Sequence, residues 1–365
     1  MLNKLYETWG VTNKHDLPEF TGYEDVLADL KLFTKEQYDK DPEKVTDEIF
    51  NIYRSINIVP ITYFSQRGIE NKIRELQLSI PNQVKDYTLG LGNNKGQDLI
   101  RFMFPNMMTA EPKGRGSNSL KDRFYNDTKL KRAIKICFVH REGDNPVRPS
   151  LIRTALELVT GENIQNFKAF NARSIVEELC PVFSGRVYDY SAGYGGRMLG
   201  TCTSRMHYEY HCVEPNTQTV EYLTYLSSFL RSEIKINCTV SEEYEPQDID
   251  LAFSSPPYFN LEKYCDEPTQ CMVKYNTLDE WFEGYVEPTM QNIYKGLNTD
   301  GVFATNIANY KTAKEEFEIV DRWVTTAKKI GFDYQTVIKM LLTTRPGVGN
   351  YRKEGKTEKY EGIYV

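Results

Sequence analysis

The stretch DLAFSSPPYF occupies residues 250–259 and joins a short apolar run to an abrupt Ser-Pro-Pro-Tyr turn. Residues 249–254 predict a buried strand, because the run is short, apolar and bounded by a turn signal. Two consecutive prolines fix φ and remove two backbone donors, so carbonyl oxygens and the Ser255 hydroxyl are left as outward-facing acceptors. Open α/β sheets bind their ligands at the carboxyl ends of strands, and the turn is therefore a candidate site.

A second motif, DYSAGYGGR, occupies residues 189–197. It lies between an apolar run and a helical pattern, and Gly193 and Gly195 allow the backbone to approach a ligand beside a helix N-terminus. The full G-x-G-x-x-G signature of a phosphate-binding turn is missing, since position 198 is Met. The motif predicts a cofactor turn without the pattern of a dinucleotide site.

Strand and helix patterns alternate from residue 186 onward. Strands separated by helices imply right-handed crossovers and a mostly parallel sheet, so we predict an α/β fold with seven strands. The predicted strands are 186–190, 208–213, 233–237, 249–254, 301–307, 332–342 and 361–365, the last two forming an antiparallel pair, and the predicted helices are 197–204, 217–230, 278–297 and 311–330.

Together and in this order, the two motifs resemble those of the S-adenosylmethionine-dependent DNA amino-methyltransferases, over about residues 145–365. The resemblance implies a Rossmann-like methyltransferase domain that binds S-adenosylmethionine and methylates the exocyclic amine of a flipped base. The Ser form of the tetrapeptide is typical of cytosine-N4 enzymes. Many of those enzymes have the reverse motif order, so adenine N6 stays open as the alternative target.

The resemblance also implies roles at the catalytic turn. Ser255 and the carbonyl of Pro256 would each accept one hydrogen from the target amine, so that its lone pair is offered to the electrophile. Pro257 completes the turn, and Tyr258 would stack on the base. An RNA or protein methyltransferase of the same fold, or a binding module without catalysis, are the other classes left open.

The cofactor side follows from the same resemblance. Asp189 could hold the ammonium of the cofactor, and Glu214, which ends the next strand, is placed to accept both ribose hydroxyls. Glu242 or Glu243 is a candidate for the adenine amine, and Phe167 for a segment that closes over the methionine end. The full set of cofactor-binding candidates is Phe167, Asp189, Ser191, Gly193, Gly195, Glu214, Glu242 and Ser254.

Length and composition predict two domains. A chain of 365 residues with 40% hydrophobic residues can form substantial cores. We expect a mainly helical region over 1–144, with a role in DNA recognition, and the methyltransferase domain over 145–365. The sequence DNPVRP, residues 144–149, is the predicted linker.

A formal net charge of -6 argues against a protein that coats nucleic acid by bulk charge, although a local basic groove remains compatible with it. Residues 113–135 are rich in Lys and Arg, and a second basic segment follows residue 344. We expect double-stranded DNA as the partner, but a solvated basic face explains such runs equally well. The DNA-binding candidates are Lys129, Lys131, Arg132, Arg345, Arg352 and Lys353.

Seven scattered cysteines without a C-x-x-C pair and four distant histidines predict neither a disulfide framework nor a metal site. The apolar runs are too short for a membrane span, and the first residues lack a signal-peptide core. We therefore expect a cytoplasmic protein of a bacterial or phage-infected cell without membrane contact, with a homodimer as one option for its assembly.

Overall fold

The structure is a computed structural model that describes residues 2–9, 29–56, 59–112, 118–140, 145–160, 164–311, 315–341 and 360–365. The chain forms two compact units, each discontinuous in sequence: Met1–Ile69 with Arg101–Ile164, and Glu70–Ile100 with Gln165–Val365. The single boundary predicted between residues 144 and 145 differs from this division, because 70–100 pack with the second unit and 145–164 with the first.

The first unit contains helices in its described part. Two of them begin at capping boxes, Thr34 with Gln37 and Ser119 with Asp122, in which side chains satisfy the free amides of the first turn. The helices of this part of the chain are α1 Leu2–Thr8, α2 Lys35–Lys40, α3 Pro42–Ile56, α4 Gln66–Leu78, α5 Gln97–Met103, α6 Leu120–Tyr125, α7 Asp127–His140 and α8 Pro149–Thr160, with a 3-10 turn at Pro105–Met108. Helices α4 and α5 each cross from one unit to the other.

A single sheet organises the second unit. Its strands are β1 Val84–Lys85, β2 Thr88–Leu89, β3 Arg186–Asp189, β4 Glu209–Val213, β5 Ile234–Asn237, β6 Ile249–Ser254 and β7 Leu297–Ile307. A separate hairpin consists of β8 Tyr310–Lys311 and β9 Glu316–Phe317, after which β10 Val337–Leu341 and β11 Tyr360–Tyr364 complete the sheet. The strand order is β1-β2-β10-β11-β7-β6-β3-β4-β5, and β11 is antiparallel to both of its neighbours.

The predicted α/β class is confirmed, but the sheet has nine strands and not seven. The additional hairpin β1–β2 joins the edge at β10, and its turn residues Asp86 and Tyr87 adopt positive φ angles of 48° and 56°. Strands of two residues give no alternation of apolar and polar positions, which is why the sequence did not predict them.

Helices flank the sheet on both sides. They are α9 Ala169–Leu179, α10 Gly196–Cys202, α11 Thr217–Ser227, α12 Cys271–Lys274, α13 Leu278–Trp281, α14 Glu287–Gly296 and α15 Val320–Ile330, with a π-turn Phe282–Val286 between α13 and α14 and a 3-10 turn at Ser241–Glu243. The helix predicted over 311–330 is wrong in its first part, where β8 and β9 pair instead. The ring of Tyr310 stacks on that of Phe317 at 4.9 Å, and this contact favours the hairpin.

The connections of the sheet define where a ligand can bind. The chain runs from β3 outward to β4 and β5, then returns to β6 on the other side of β3. The loops that follow β3 and β6 therefore diverge, and a crevice opens between the carboxyl ends of these two strands. The glycine turn follows the end of β3, and the Ser-Pro-Pro-Tyr turn follows the end of β6.

Candidate active site

A hydrogen bond joins the two strand ends at the switch point. Strands β3 and β6 pair in parallel through Val187–Leu251 and Tyr188–Ala252. Their last residues are Asp189 and Ser254, both 0% exposed, and Ser254 Oγ donates to Asp189 Oδ1 at 2.6 Å. The glycine turn and the Ser-Pro-Pro-Tyr turn are thereby held side by side.

The Asp189 carboxylate is occupied by donors from the protein. In addition to Ser254, the amide of Ser191 donates to Oδ1 at 3.2 Å, while Arg197 Nε and Tyr210 OH donate to Oδ2 at 2.8 and 2.6 Å. A carboxylate offers about four lone-pair positions. Four donors therefore give Asp189 a positioning role in place of the predicted contact with a cofactor ammonium, and Ser254 shares that role.

The glycine turn adopts the backbone that its sequence predicts. Gly193 and Gly195 have φ angles of 53° and 68°, a region that side chains with a Cβ rarely enter, and Gly195 is the N-cap of α10. A Cβ at Gly196 would lie 2.0 Å from the carbonyl oxygen of Phe167. The predicted segment around Phe167 therefore packs directly against the turn, and its half-buried ring meets Phe253 edge-on at 5.5 Å.

Glu214 ends β4 and binds the same turn. Its Oε2 accepts the amide of Gly193 at 2.9 Å, and its Oε1 accepts the amide of Asn216 at 3.0 Å. Burial raises the pKa of Glu214 to about 7, against the opposing effect of these two amides. Each oxygen keeps one lone-pair direction for a further donor.

The other two predicted cofactor residues have partners in the protein. Glu242 lies in the 3-10 turn Ser241–Glu243, and its Oε1 accepts Lys274 Nζ at 2.7 Å and Tyr275 OH at 2.9 Å. Ser191 Oγ donates to the carbonyl oxygen of Tyr190 at 2.7 Å. The contact of Glu242 with an adenine amine stays a prediction.

The catalytic turn is firmly packed at its aromatic end. Ser255, Pro257 and Tyr258 are half-buried and Pro256 is buried. The hydroxyl of Tyr258 accepts the amide of Ala308, just beyond β7, at 2.9 Å. The Tyr258 ring meets Tyr310 edge-on at 5.1 Å, and burial raises the pKa of Tyr258, so its hydroxyl stays neutral.

The loop 259–270, whose polar sequence is compatible with a segment that closes over a substrate, leaves the catalytic turn and reaches the cofactor side. Tyr264 meets Tyr194 of the glycine turn edge-on at 6.1 Å, and its hydroxyl donates to Glu262 Oε2. Glu267 accepts the amide and hydroxyl of Thr217 at 3.2 and 2.7 Å, at the first residue of α11. In the sequence, residues 259–270 form a polar connection between two predicted elements. The spacing of their side chains does not indicate that they contact Tyr194 or Thr217.

The predicted DNA-binding residues differ in their exposure and in their ion pairs. On α7, Lys131 Nζ lies 2.7 Å from Asp47 of α3 and 4.8 Å from the centre of the Phe50 ring, so its charge is paired. Lys129 is half-buried and Arg132 is exposed. Arg345, Arg352 and Lys353 lie outside the described residues.

The part of the chain that the structure describes contains neither a cluster of metal ligands nor a helix that could span a membrane. Over the described ranges, no group of three or more His, Cys, Asp or Glu residues could hold a metal ion. None of the described helices combines the length and the apolar character that crossing a bilayer requires.

We found no protein-family model that matches the sequence and no curated protein with significant similarity to it. Solved structures with a similar fold include a TehB-like SAM-dependent methyltransferase from Corynebacterium glutamicum, 12% identical, covering 57% of this chain and 92% of that chain with a TM-score of 0.34. A SAM-dependent O-methyltransferase from Thermotoga maritima is 15% identical, with coverages of 57% and 69% and a TM-score of 0.35. Fibrillarin from Aeropyrum pernix, solved with natively bound S-adenosyl-L-methionine, is 13% identical, with coverages of 53% and 72% and a TM-score of 0.34.

Proposed function

We propose that the protein transfers a methyl group from S-adenosylmethionine to the exocyclic amine of a DNA base, with cytosine N4 as the leading target. The observation that carries the proposal is the hydrogen bond from Ser254 to Asp189 at 2.6 Å. It holds a cofactor-type glycine turn and a Ser-Pro-Pro-Tyr turn together at the switch point of an α/β sheet, where ligands of such sheets bind.

The residues around the glycine turn fit this cofactor. Glu214 retains one free lone-pair direction on each oxygen, which suits the two hydroxyls of a ribose. The Gly193 amide already donates to Glu214, so it is not free for a pyrophosphate, and this disfavours a dinucleotide. S-adenosylmethionine supplies an electrophilic methyl group on a cationic sulfonium, and the carboxylate of Glu214 favours a cation nearby.

The catalytic turn fits a planar primary amine. Ser255 Oγ and the Pro256 carbonyl oxygen can each accept one of its hydrogens, which reduces the conjugation of the nitrogen lone pair with the ring. Tyr258, fixed by Ala308 and Tyr310, offers a rigid aromatic surface for the base. An amine in a duplex is paired, so the base has to leave the helix before it can react.

Adenine N6 is the second candidate target. The same two acceptors serve either amine, and the order of the motifs, with the glycine turn before the catalytic turn, favours adenine. Double-stranded DNA as the substrate rests on the resemblance of the two motifs to those of the DNA amino-methyltransferases.

Nucleoside mass spectrometry of DNA and RNA from cells that express the protein tests the proposal. We expect N4-methylcytosine in DNA, with N6-methyladenine as the outcome of the second candidate, and a strong decrease of either in the variant Ser255→Ala. In the proposed role the hydroxyl contacts the base and not the cofactor, so calorimetry should give an unchanged affinity of this variant for S-adenosylmethionine. Methylated RNA or protein with unmodified DNA would contradict the proposed substrate, and absence of cofactor binding would contradict the reaction.

A further inference from the structure

Glu262 lies between the two turns of the candidate site. It follows Tyr258 by four residues, in the loop 259–270. Its Oε2 accepts the hydroxyl of Tyr264, whose ring packs edge-on against Tyr194 of the glycine turn. Burial first, and then the charge of Glu262, raise the pKa of Tyr194, and the same charge also raises that of Tyr258. Glu262 is therefore close to both the cofactor turn and the catalytic turn.

No cation compensates this carboxyl group within the described ranges. The adjacent Lys263 forms its ion pair with Asp266 at 2.6 Å. Burial raises the pKa of Glu262 to about 7, and only the hydrogen bond from Tyr264 opposes the shift. The other titratable groups act on its neighbours: Tyr194 and Glu214 on Tyr264, and Glu361 of β11 and Tyr310 on Tyr258.

Such an arrangement lowers stability without an evident structural gain. The Glu262 side chain is half-buried, and a carboxylate partly removed from water without a cation costs free energy, whereas Gln would form the same hydrogen bond with Tyr264 and carry no charge. Carboxyl groups whose pKa is raised in this way occur preferentially where a proton is transferred. A pKa near 7 also matches a general base to neutral conditions.

We propose that Glu262 is a catalytic residue that accepts the proton released by the target amine. The inference rests on the proposed function. The nitrogen lone pair forms the new N–C bond, and the C–S bond of the methyl donor breaks with its electron pair on sulfur. The nitrogen then carries one proton more than the neutral product, and that proton passes to Oε1 of Glu262, the oxygen opposite the one that Tyr264 binds. The carboxyl group later returns it to water.

The rate of a single turnover as a function of pH tests this role, with saturating S-adenosylmethionine so that Glu214 stays bound to its ligand. In the wild-type protein the rate should rise with pH and level off above about 7, because only the ionised carboxylate accepts a proton. Glu262→Gln keeps the acceptor for Tyr264, and we expect it to lower the rate about 100-fold or more and to abolish the rise. Tyr264→Phe removes a donor that favours the ionised form, so the rise should move to higher pH.

A second measurement does not depend on activity. Carbon-13 NMR of protein labelled at glutamate carboxyls should show a signal that titrates near pH 7, is absent in Glu262→Gln and titrates at higher pH in Tyr264→Phe. Wild-type methylation with full activity and an unchanged pH profile in Glu262→Gln would overturn this inference and leave the proposed function intact. A slower Glu262→Gln that retains the pH-dependent rise would also overturn it, since the residue would then only position the loop. A wild-type protein that methylates no DNA would overturn both.

Discussion

Three carboxyl groups lie in the candidate site, two at strand ends and one in the loop 259–270, and their surroundings give them different properties. Asp189 accepts four donors, including the guanidinium of Arg197, and fixes the geometry of the turns. Glu214 accepts two amides and Glu262 one hydroxyl, and burial raises the pKa of each to about 7. The residue type is acidic in all three cases, so hydrogen bonding and burial decide which carboxylate is structural and which can serve a ligand.

Glu214 should control the affinity for S-adenosylmethionine. We expect Glu214→Ala to weaken binding by about 1–3 kcal/mol, the scale of hydrogen bonds to a charged group. In the wild-type protein the affinity should increase as pH rises through about 7, because the ionised form offers acceptors on both oxygens and attracts a sulfonium cation. Glu214→Gln should show a smaller increase. Isothermal calorimetry between pH 5.5 and 8.5 measures this, with Glu178→Ala, an exposed residue of α9, as the control. Equal affinities at all pH values would remove Glu214 from the site.

Tyr258 forms a structural hydrogen bond and is proposed to stack on the base, and two variants distinguish these roles. Tyr258→Phe retains the ring but loses the hydrogen bond from the Ala308 amide, so we expect a loss of about 1 kcal/mol in the free energy of unfolding with most of the methyl transfer retained. Tyr258→Ala also removes the stacking surface, which should cost about 1–3 kcal/mol of base binding. Urea denaturation and DNA methylation assays measure the two effects. Equal methylation by wild type and Tyr258→Ala would exclude stacking by this ring.

The sequence predicted part of this site and could not predict the rest. Gly193 and Gly195 were predictable because only glycine adopts their backbone freely, and Glu214 because it follows an apolar strand. The bond between Asp189 and Ser254 depends on which strands become neighbours, and Glu262 becomes a candidate only when its loop folds back on Tyr194. Both depend on tertiary contacts, which a local sequence pattern does not indicate.

At the scale of elements, the longer strands and helices were predictable and the short ones were not. Strand β6 was predicted at its observed bounds, since a mostly buried apolar run ends just before two prolines. The hairpin of β8 and β9 was mistaken for the start of a helix, because two-residue strands carry no period and its pairing depends on aromatic contacts. The loop 259–270 has no regular pattern, yet it connects the catalytic turn to the glycine turn and α11.

The attachment of this loop to α11 should control the exchange of the cofactor. Glu267 accepts the amide and the hydroxyl of Thr217, at the first turn of the helix that follows Glu214. Loss of this attachment should free the loop beside the ribose site, so we expect Glu267→Ala to increase the dissociation rate of S-adenosylmethionine about 3- to 10-fold, equivalent to about 1 kcal/mol. Stopped-flow fluorescence measures the rate. Thr217→Ser keeps both donors and is the matched control, whereas an unchanged rate in Glu267→Ala would show that the loop does not limit exchange.

At the scale of the whole molecule, a net charge of -6 has to be reconciled with a DNA substrate. Binding can then depend only on local basic surface, since the summed charge repels phosphate. The described part of the first unit offers such a surface on α7, but acidic residues of α3 neutralise some of it: Lys131 pairs with Asp47 and Lys135 with Glu43. Among the predicted DNA-binding residues of α7, exposed Arg132 is therefore a better candidate for a phosphate contact than Lys131, whose charge is paired.

The salt dependence of DNA binding distinguishes residues that contact phosphates from residues that do not. If Lys129 and Arg132 bind phosphates, replacing both with Ala should flatten the slope of log affinity against log salt by up to about 0.9 for each phosphate that the variant no longer neutralises. Lys131→Ala should change the slope less, because Asp47 already neutralises its ammonium at 2.7 Å. Fluorescence anisotropy with a duplex at several salt concentrations measures the slope, and Lys328→Ala with Lys329→Ala, exposed on α15, is the control of equal charge. A slope that falls equally in the control pair would mean that only net charge matters, and an unaltered slope in the Lys129 and Arg132 variant would show that α7 is an ordinary solvated face.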